Sequence, residues 1–319
     1  MKIIFMGTSS FAVPSLEKLA ACNKYEILKV ITTPDSVQGR GYKLISPPVK
    51  EKSLSLGLPI IQPEKLNNEE FNKEIITLKP DIGIVISFGK ILRKPLLSLP
   101  SLGCINIHGS LLPKYRGAAP IQWALINGEK ETGVTSLFMD EGIDTGDIIL
   151  QDKISILHED TRETLHDKLS VLGGEILLKT LELIDSGSFP RYIQDNSQAS
   201  YARIIKKEDG KIDWSKKSDE IINLIRGMTP WPGTYSWLEN KLIKIWDADI
   251  YDTSKDSAIR SHKLKEGEIF KIEKNHGIFV ASGHGAIIIK VIQPENKKKM
   301  SAYDFVLGYR IKPGQKFIS

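Results

Sequence analysis

The stretch "CINIHGSLLPKYRGAAPIQWAL", residues 104–125, begins as an apolar strand and ends as a helix, with Gly109, Pro113 and Gly117 between them. The strand signal runs out at Asn106 and His108. Residues two apart on a strand share one face. An amide and an imidazole are therefore expected to point together into whatever space lies beyond the strand end.

The same strand–turn–helix unit recurs upstream. "KIIFMG" reads as a buried strand and "VPSLEKLAAC" as a helix. "YEILKVIT" is a second strand, "PVKEKSLSLG" a helix and "LPIIQP" a short strand. "NEEFNKEIITLK" is a further helix and "DIGIVISFG" a strand. Strands that are apolar throughout imply a parallel sheet covered by helices on both faces. Ligands gather at the carboxyl ends of such strands, where Gly7, Phe88–Gly89 and Asn106–His108 fall. The polar, Gly-rich "DSVQGRGYKLISPP" reads as a long surface loop, a kind that is often functional. Downstream, "TGVTSLFMD" and "DTGDIILQDKISI" look like two more strands joined by a turn. Leu165, Leu169, Leu172, Ile176, Leu177, Leu181 and Ile184 then recur at helical spacing.

The second half differs. After a polar run comes one helix, "SDEIINLIRGM". Five short strands between turns follow: "GTYSWLE", "KLIKIWDADI", "GEIFKIE", "GIFVASG" and "AIIIKVIQP". That pattern suggests a small OB-like β-barrel. The expected architecture is α/β, a Rossmann-like parallel-sheet domain over residues 1–188, a linker over 189–207 and the barrel over 208–319.

A chain of 319 residues with 41% hydrophobic and 26% charged residues suits two soluble domains. No apolar run reaches the roughly 18–20 residues of a membrane helix. "MKIIFMGTSS" has neither the apolar centre of a secretory signal nor the look of a transit peptide. The two cysteines, Cys22 and Cys104, argue for a reducing cytoplasm and against disulfides. A cytoplasmic monomer with no membrane partner is expected. The net charge of +5 is uneven: residues 201–319 hold +7 and the first 200 residues −2. A basic second half meets a polyanion, or is simply a Lys-rich solvated surface.

Of the six histidines, His158, His166, His262, His276 and His284 read as surface or turn residues, and none has metal-ligand spacing with an acid or a cysteine. No metal is expected. The second chemical cluster is "DEGIDTGDII", with Asp140, Glu141, Asp144 and Asp147. Gly142 and Gly146 flank Asp144 and permit a tight backbone that aims a carboxylate inward. A solvated turn is the other reading. If Asp144 meets Asn106 and His108, the trio lacks a serine or cysteine nucleophile. It suits acyl transfer in which the substrate supplies the nucleophile. Asn would donate to a developing oxyanion, His would act as acid or base, and Asp would orient and charge the His.

"INIHGSLLPKYRGAAPIQWAL" together with "DEGIDTGD" resembles the signature of the formyltetrahydrofolate-dependent formyltransferases. That signature is an Asn-x-His pair, a Ser-Leu-Leu-Pro-x-x-Arg-Gly loop and an Asp-Thr-Gly loop. "IIFMGTSSFAVPSL", "TPDSVQGRGYKL", "KIDW", "PWPGTY" and "KKMSAYDF" extend the resemblance to members that formylate an aminoacyl-tRNA, although many relatives have Pro where this chain has Ser9. The resemblance implies transfer of a formyl group from 10-formyltetrahydrofolate to the α-amine of initiator methionyl-tRNA. It implies Asn106, His108 and Asp144 as the catalytic trio. It places Phe88, Gly89, Ile91, Leu92, Ser110, Leu111, Leu112, Pro113, Asp140 and Gly142 at the folate pocket. It matches Arg40 and Lys207 to tRNA contacts. Lys297, Lys298 and Lys299 read either as a grip on tRNA phosphates or as a solvated turn, and Arg116 reads as fixing its own loop. Sugar-nucleotide formyltransferases share a similar two-domain plan, and a non-catalytic RNA-binding protein is the alternative of another class. The intact trio argues against the latter.

Overall fold

The computed structural model describes residues 1–38, 43–66, 68–255 and 264–319. Arg40 and His262 lie outside the described residues. The chain divides into two compact units. The first comprises Met1–Pro120, Glu131–Ser155 and His166–Ala202; the second comprises Ile121–Lys130, Ile156–Leu165 and Arg203–Ser319.

The strands of the first unit are, in chain order, β1 (Lys2–Gly7), β2 (Glu26–Ile31), β3 (Ser36–Gln38), β4 (Lys43–Ile45), β5 (Ile60–Ile61), β6 (Ile82–Ile86), β7 (Cys104–His108), β8 (Arg116–Gly117), β9 (Glu131–Phe138), β10 (Ile148–Ser155) and β11 (Tyr201–Ala202). Seven of them form one sheet in the order β10-β9-β7-β6-β1-β2-β5. The pairs from β5 across to β7 are parallel, as the apolar runs imply. β1 is buried from Ile3 on, and β6 throughout, because both faces of the sheet are covered. β9 and β10 depart from the parallel plan. β9 runs antiparallel to β7, and β10 antiparallel to β9. The β9–β10 connection is too short for the crossover that a parallel pair needs.

The strand order reverses between β1 and β6, the position where such sheets open a crevice. The two strand ends are tied there: Thr8 Oγ1 donates to the Phe88 carbonyl (2.8 Å) and Ser9 Oγ to Ser87 Oγ (2.6 Å). The helix Arg162–Asp185 passes close to β7. A Cβ built at Gly173 would lie 3.3 Å from Ile107 Cγ2. Ile107 therefore faces that helix, and Asn106 and His108 face the opposite side.

The stretch expected as a surface loop contains a small antiparallel hairpin, β3 with β4, which flanks residues 39–42. Its base is anchored at Asp35, which accepts from Lys50 Nζ (2.7 Å) and Gln62 Nε2 (2.9 Å). The hydrogen bonds from Gln62 and then Lys50 hold the Asp35 carboxyl below the usual range.

The second unit holds β12 (Thr234–Leu238), β13 (Lys241–Tyr251), β14 (Ile269–Glu273), β15 (Gly277–Ala281), β16 (Ala286–Pro294), β17 (Met300–Ser301) and β18 (Phe317–Ile318). The five strands read from the sequence are β12 to β16. The sheet order is β14-β15-β16-β13-β12-β18, with β17 on β16. An antiparallel bridge between Glu268 and Lys316 brings the β14 edge back to the β18 edge, so the sheet curls on itself. Alternate residues of β12, Thr234, Ser236 and Leu238, are buried, as a sheet with one core face requires. Ile243, Ile245, Ile278, Val280, Ile287 and Ile289 fill that core with Trp214, Phe305 and Phe317.

Candidate active site

Asn106 and His108 end β7 on one face, and the loop between β9 and β10 folds onto that face. Asp144 Oδ1 accepts from Asn106 Nδ2 at 3.0 Å. Asp144 Oδ2 accepts from the Gly117 amide at 2.8 Å and stands 3.5 Å from His108 Nδ1. His108 is 7% exposed. The other imidazole nitrogen, Nε2, meets the Tyr115 carbonyl at 3.0 Å. A carbonyl only accepts, so Nε2 carries the hydrogen. The remaining nitrogen, Nδ1, faces the carboxylate.

Two backbone distortions set this geometry. Asp144 has φ +54° and Tyr115 φ +62°, a left-handed region that side chains other than glycine rarely adopt. They aim the carboxylate and the carbonyl at the same imidazole. Gly146 makes the loop possible, because a Cβ there would fall 1.8 Å from the Phe138 carbonyl oxygen. Asp140 braces the same loop: its Oδ1 accepts from the Gly142 amide (2.9 Å) and from Thr145 Oγ1 (2.6 Å).

The Ser110–Pro113 loop is pinned from β9 and β10. Thr135 Oγ1 donates to the Ser110 carbonyl (2.6 Å) and accepts from the Leu112 amide (3.1 Å). Gln151 Nε2 donates to the Leu112 carbonyl (2.8 Å). Ser110 Oγ is turned to the Lys114 carbonyl (2.7 Å).

The remaining residues fall into groups. The side chains of Phe88, Leu92, Ser110 and Leu112 are buried, so they offer a backbone or a wall and not a free side chain. Gly89 has φ +76°, and nothing lies within 4 Å of a Cβ built there. Ile91 is 79% exposed and Ile143, beside Asp144, is 60% exposed. Lys207, Lys298 and Lys299 are exposed in the second unit. Among the described residues, no three His, Cys, Asp or Glu side chains are grouped to hold a metal ion.

Sequence reasoning did not single out the Tyr115 carbonyl, the Gly117 amide or Gln194. The first two are backbone groups, and Gln194 lies in a polar run without periodicity. Arg116 is buried and fixes its own neighbourhood, as read. Its Nε and one terminal nitrogen donate to Gln194 Oε1 (3.1 and 2.8 Å), and that same terminal nitrogen also donates to Asn196 Oδ1 (2.9 Å).

An amide donor, an imidazole and a carboxylate, with no serine or cysteine hydrogen-bonded to the imidazole among the described residues, suit a class of chemistry, group transfer to a nucleophile that arrives with the substrate. The chain belongs to the formyl transferase family. The family's model matches residues 1–181, and the model of its C-terminal domain matches residues 204–310. The methionyl-tRNA formyltransferase of Halothermothrix orenii is 47% identical over 319 residues, covering 99% of both chains. That of Clostridioides difficile is 45% identical over 314 residues, covering 98% of this chain and 99% of its own. Among solved structures, a Helicobacter canadensis N-formyltransferase in complex with folinic acid and dTDP-3-aminofucose superposes with a TM-score of 0.66 at 23% identity, covering 92% of this chain and 99% of its own. HypX from Aquifex aeolicus in complex with tetrahydrofolic acid gives 0.59 at 16%, covering 96% of this chain and 47% of its own. At those identities the likeness is one of fold.

Proposed function

We propose that this chain transfers the formyl group of 10-formyltetrahydrofolate to the α-amine of initiator methionyl-tRNA, in the cytoplasm. The observation that supports it most is the Asp144 carboxylate, which binds Asn106 and the Gly117 amide and faces His108, in a chain whose full-length relatives have that name. The catalytic domain is residues 1–188 and the tRNA-binding domain 208–319; of the segment 189–207 between them, the part up to Ala202 belongs to the first unit.

The residues fit a folate. Gly89 leaves open space after β6, and Ile91 and Ile143 present apolar side chains outside the core. Phe88, Leu92, Ser110, Leu111, Leu112 and Pro113 form the walls of that pocket, and Asp140 and Gly142 shape its Asp144 side. The bound folate supplies an activated formyl group. Asn106 Nδ2 has two hydrogens; one goes to Asp144 and the other is available to the formyl oxygen as negative charge builds there. As the amine forms its bond to the formyl carbon, its surplus proton goes to the His108–Asp144 pair, whose carboxylate faces the imidazole. The pair then returns the proton to the folate nitrogen as its bond to the formyl carbon breaks.

Arg40, Lys207, Lys298 and Lys299 contact the tRNA. What supports a phosphate site in the second unit is a knot of cations on one aromatic ring. Lys299 Nζ sits 3.6 Å, and Lys244 Nζ 5.3 Å, from the Trp246 centroid. Burial first, and then the like charges of Lys207 and Lys299, lower the pKa of Lys244. A phosphate arriving among these ammonium groups relieves their mutual repulsion.

The test is a direct assay: purified protein, methionyl-tRNA and 10-formyltetrahydrofolate, scored for formyl-methionine. Transfer to a dTDP-amino sugar in a parallel reaction, with none to methionyl-tRNA, would overturn the assignment.

A further inference from the structure

The geometry points to Gln194 as a positioning residue for this reaction: its side-chain amide clamps the Asp144 loop in the one backbone shape that brings the carboxylate to His108. The inference rests on the proposed formyl transfer for its kinetic readout, though not for its structural one.

Asp144 reaches its position at a cost, since a left-handed backbone at a residue with a Cβ is strained. Such a conformation persists only where its surroundings over-determine it. Hydrogen bonds to the Asp144 carboxylate restrain its side chain and leave the turn itself free to relax. Gln194 acts on the turn. Its Nε2 donates to the carbonyls of both Asp144 (2.8 Å) and Gly146 (2.7 Å), which bracket the tightest part of the loop. Gln194 is 6% exposed, and its bond to the Gly146 carbonyl is buried.

The other end of the amide is fixed just as firmly. Gln194 Oε1 accepts from two nitrogens of Arg116, which is itself 2% exposed. Arg116 and Gly117 form β8, paired with Tyr201 and Ala202. The Gly117 amide next in the chain is the one that grips Asp144 Oδ2. One guanidinium and one amide thus join the strand that holds the carboxylate to the turn that presents it. A charged donor makes the stronger kind of hydrogen bond, and it locks the orientation of the amide. Oε1 must face Arg116, so Nε2 must face the loop.

Gln194→Glu separates the two ends. A glutamate keeps the length and still accepts from Arg116, but it offers no hydrogen to the Asp144 and Gly146 carbonyls and repels them. Two readouts judge it. The first needs no substrate: hydrogen exchange of the Gly117 amide, protected by Asp144 Oδ2, should quicken about tenfold once the carboxylate is no longer held. The second is kinetic. The turnover number should fall about 10- to 100-fold while KM for the folate stays within about twofold. Built into Asp144→Ala, the same change should cost less than about twofold, because Gln194 acts only through Asp144. A merely structural role would cost the same in both backgrounds. If Gln194→Glu does not fold, Gln194→Met, of similar length and unable to donate, is read the same way. Unchanged Gly117 exchange, or equal kinetic losses in the two backgrounds, overturns the clamp. A wild-type protein that transfers no formyl group overturns the function alone, and the exchange measurement still decides the clamp.

Discussion

The Asp144 site of the first unit and the Trp246 face of the second are both polar constellations, built in opposite ways. Around Asp144, His108 and Gln194 are buried, and one carboxylate is fixed by an amide, a backbone N–H and a clamped turn. Around Trp246, Lys207 and Lys299 are exposed; Lys244 and Lys299 share the ring, and Lys207 acts on Lys244 through charge alone. On the proposed function the first arrangement would work by placing atoms, which small shifts destroy. The second would work by a field, which no single side chain controls. Substitutions in the two places should therefore differ in size and in how they add.

The largest effects belong to the trio. Asn106→Ala, His108→Ala and Asp144→Asn should each lower the turnover number by roughly 10²-fold or more. Combined, they should cost far less than the product of the separate losses, because they act as one unit. Single-turnover kinetics on the three variants and their triple combination check this. Near-wild-type turnover in His108→Ala would put the chemistry elsewhere.

Next in size is a change that leaves every polar group in place. Gly146→Ala puts a Cβ 1.8 Å from the Phe138 carbonyl oxygen, a backbone atom that cannot turn aside. The loop must shift by an ångström or so, with a turnover loss of about 10- to 100-fold and a lower melting temperature. Gly142→Ala should be milder, since the added Cβ meets Thr145 Oγ1, a side chain that can rotate. Equal activity in the two variants would mean that the loop is softer than its contacts suggest.

The contrast also explains what a reader of the sequence can find. Asn106 and His108 are visible because alternation on a strand fixes their common face, and β6 and β7 are visible because both faces of the sheet are covered. Asp144 was one of four acids in a short run. Only its left-handed backbone and the glycine two residues on single it out, and neither has a periodic signature. Gln194 and Ser200 lie in a polar run that reads as a linker, yet Gln194 is buried on the Asp144 loop and Ser200 Oγ accepts from the Tyr115 amide at 2.9 Å. A residue recruited through tertiary hydrogen bonds leaves no local pattern. The antiparallel β9 was legible as a strand and not in its direction, because direction depends on how the chain returns. The hairpin β3–β4 was hidden by its composition: Val37 and Leu44 are exposed, so no buried face marks it.

The smallest expected effects are on the basic face, and they test whether it works by charge alone. Lys299 differs from its neighbour Lys298 in lying over Trp246. The ring is held by Gln293, whose Oε1 accepts from Trp246 Nε1 (2.9 Å) and whose Nε2 donates to the Lys297 carbonyl (2.7 Å). The turn that presents these lysines is thereby tied to the ring beneath one of them. If both lysines meet phosphates as proposed, removing either should lower the slope of log affinity against log salt by about one. A cation on an aromatic face gains roughly 0.5–1 kcal/mol of pre-organisation at an exposed site. Lys299→Ala should therefore weaken tRNA binding a few-fold more than Lys298→Ala at equal slope. Trp246→Leu should reproduce that extra loss and leave the slope intact, because it disorders a charge without deleting it. Filter-binding titrations at several salt concentrations on the three variants separate the two quantities. If Trp246→Leu lowered the slope as well, the ring would be placing the phosphate contact itself. The second unit would then resemble the Asp144 site more than this contrast allows.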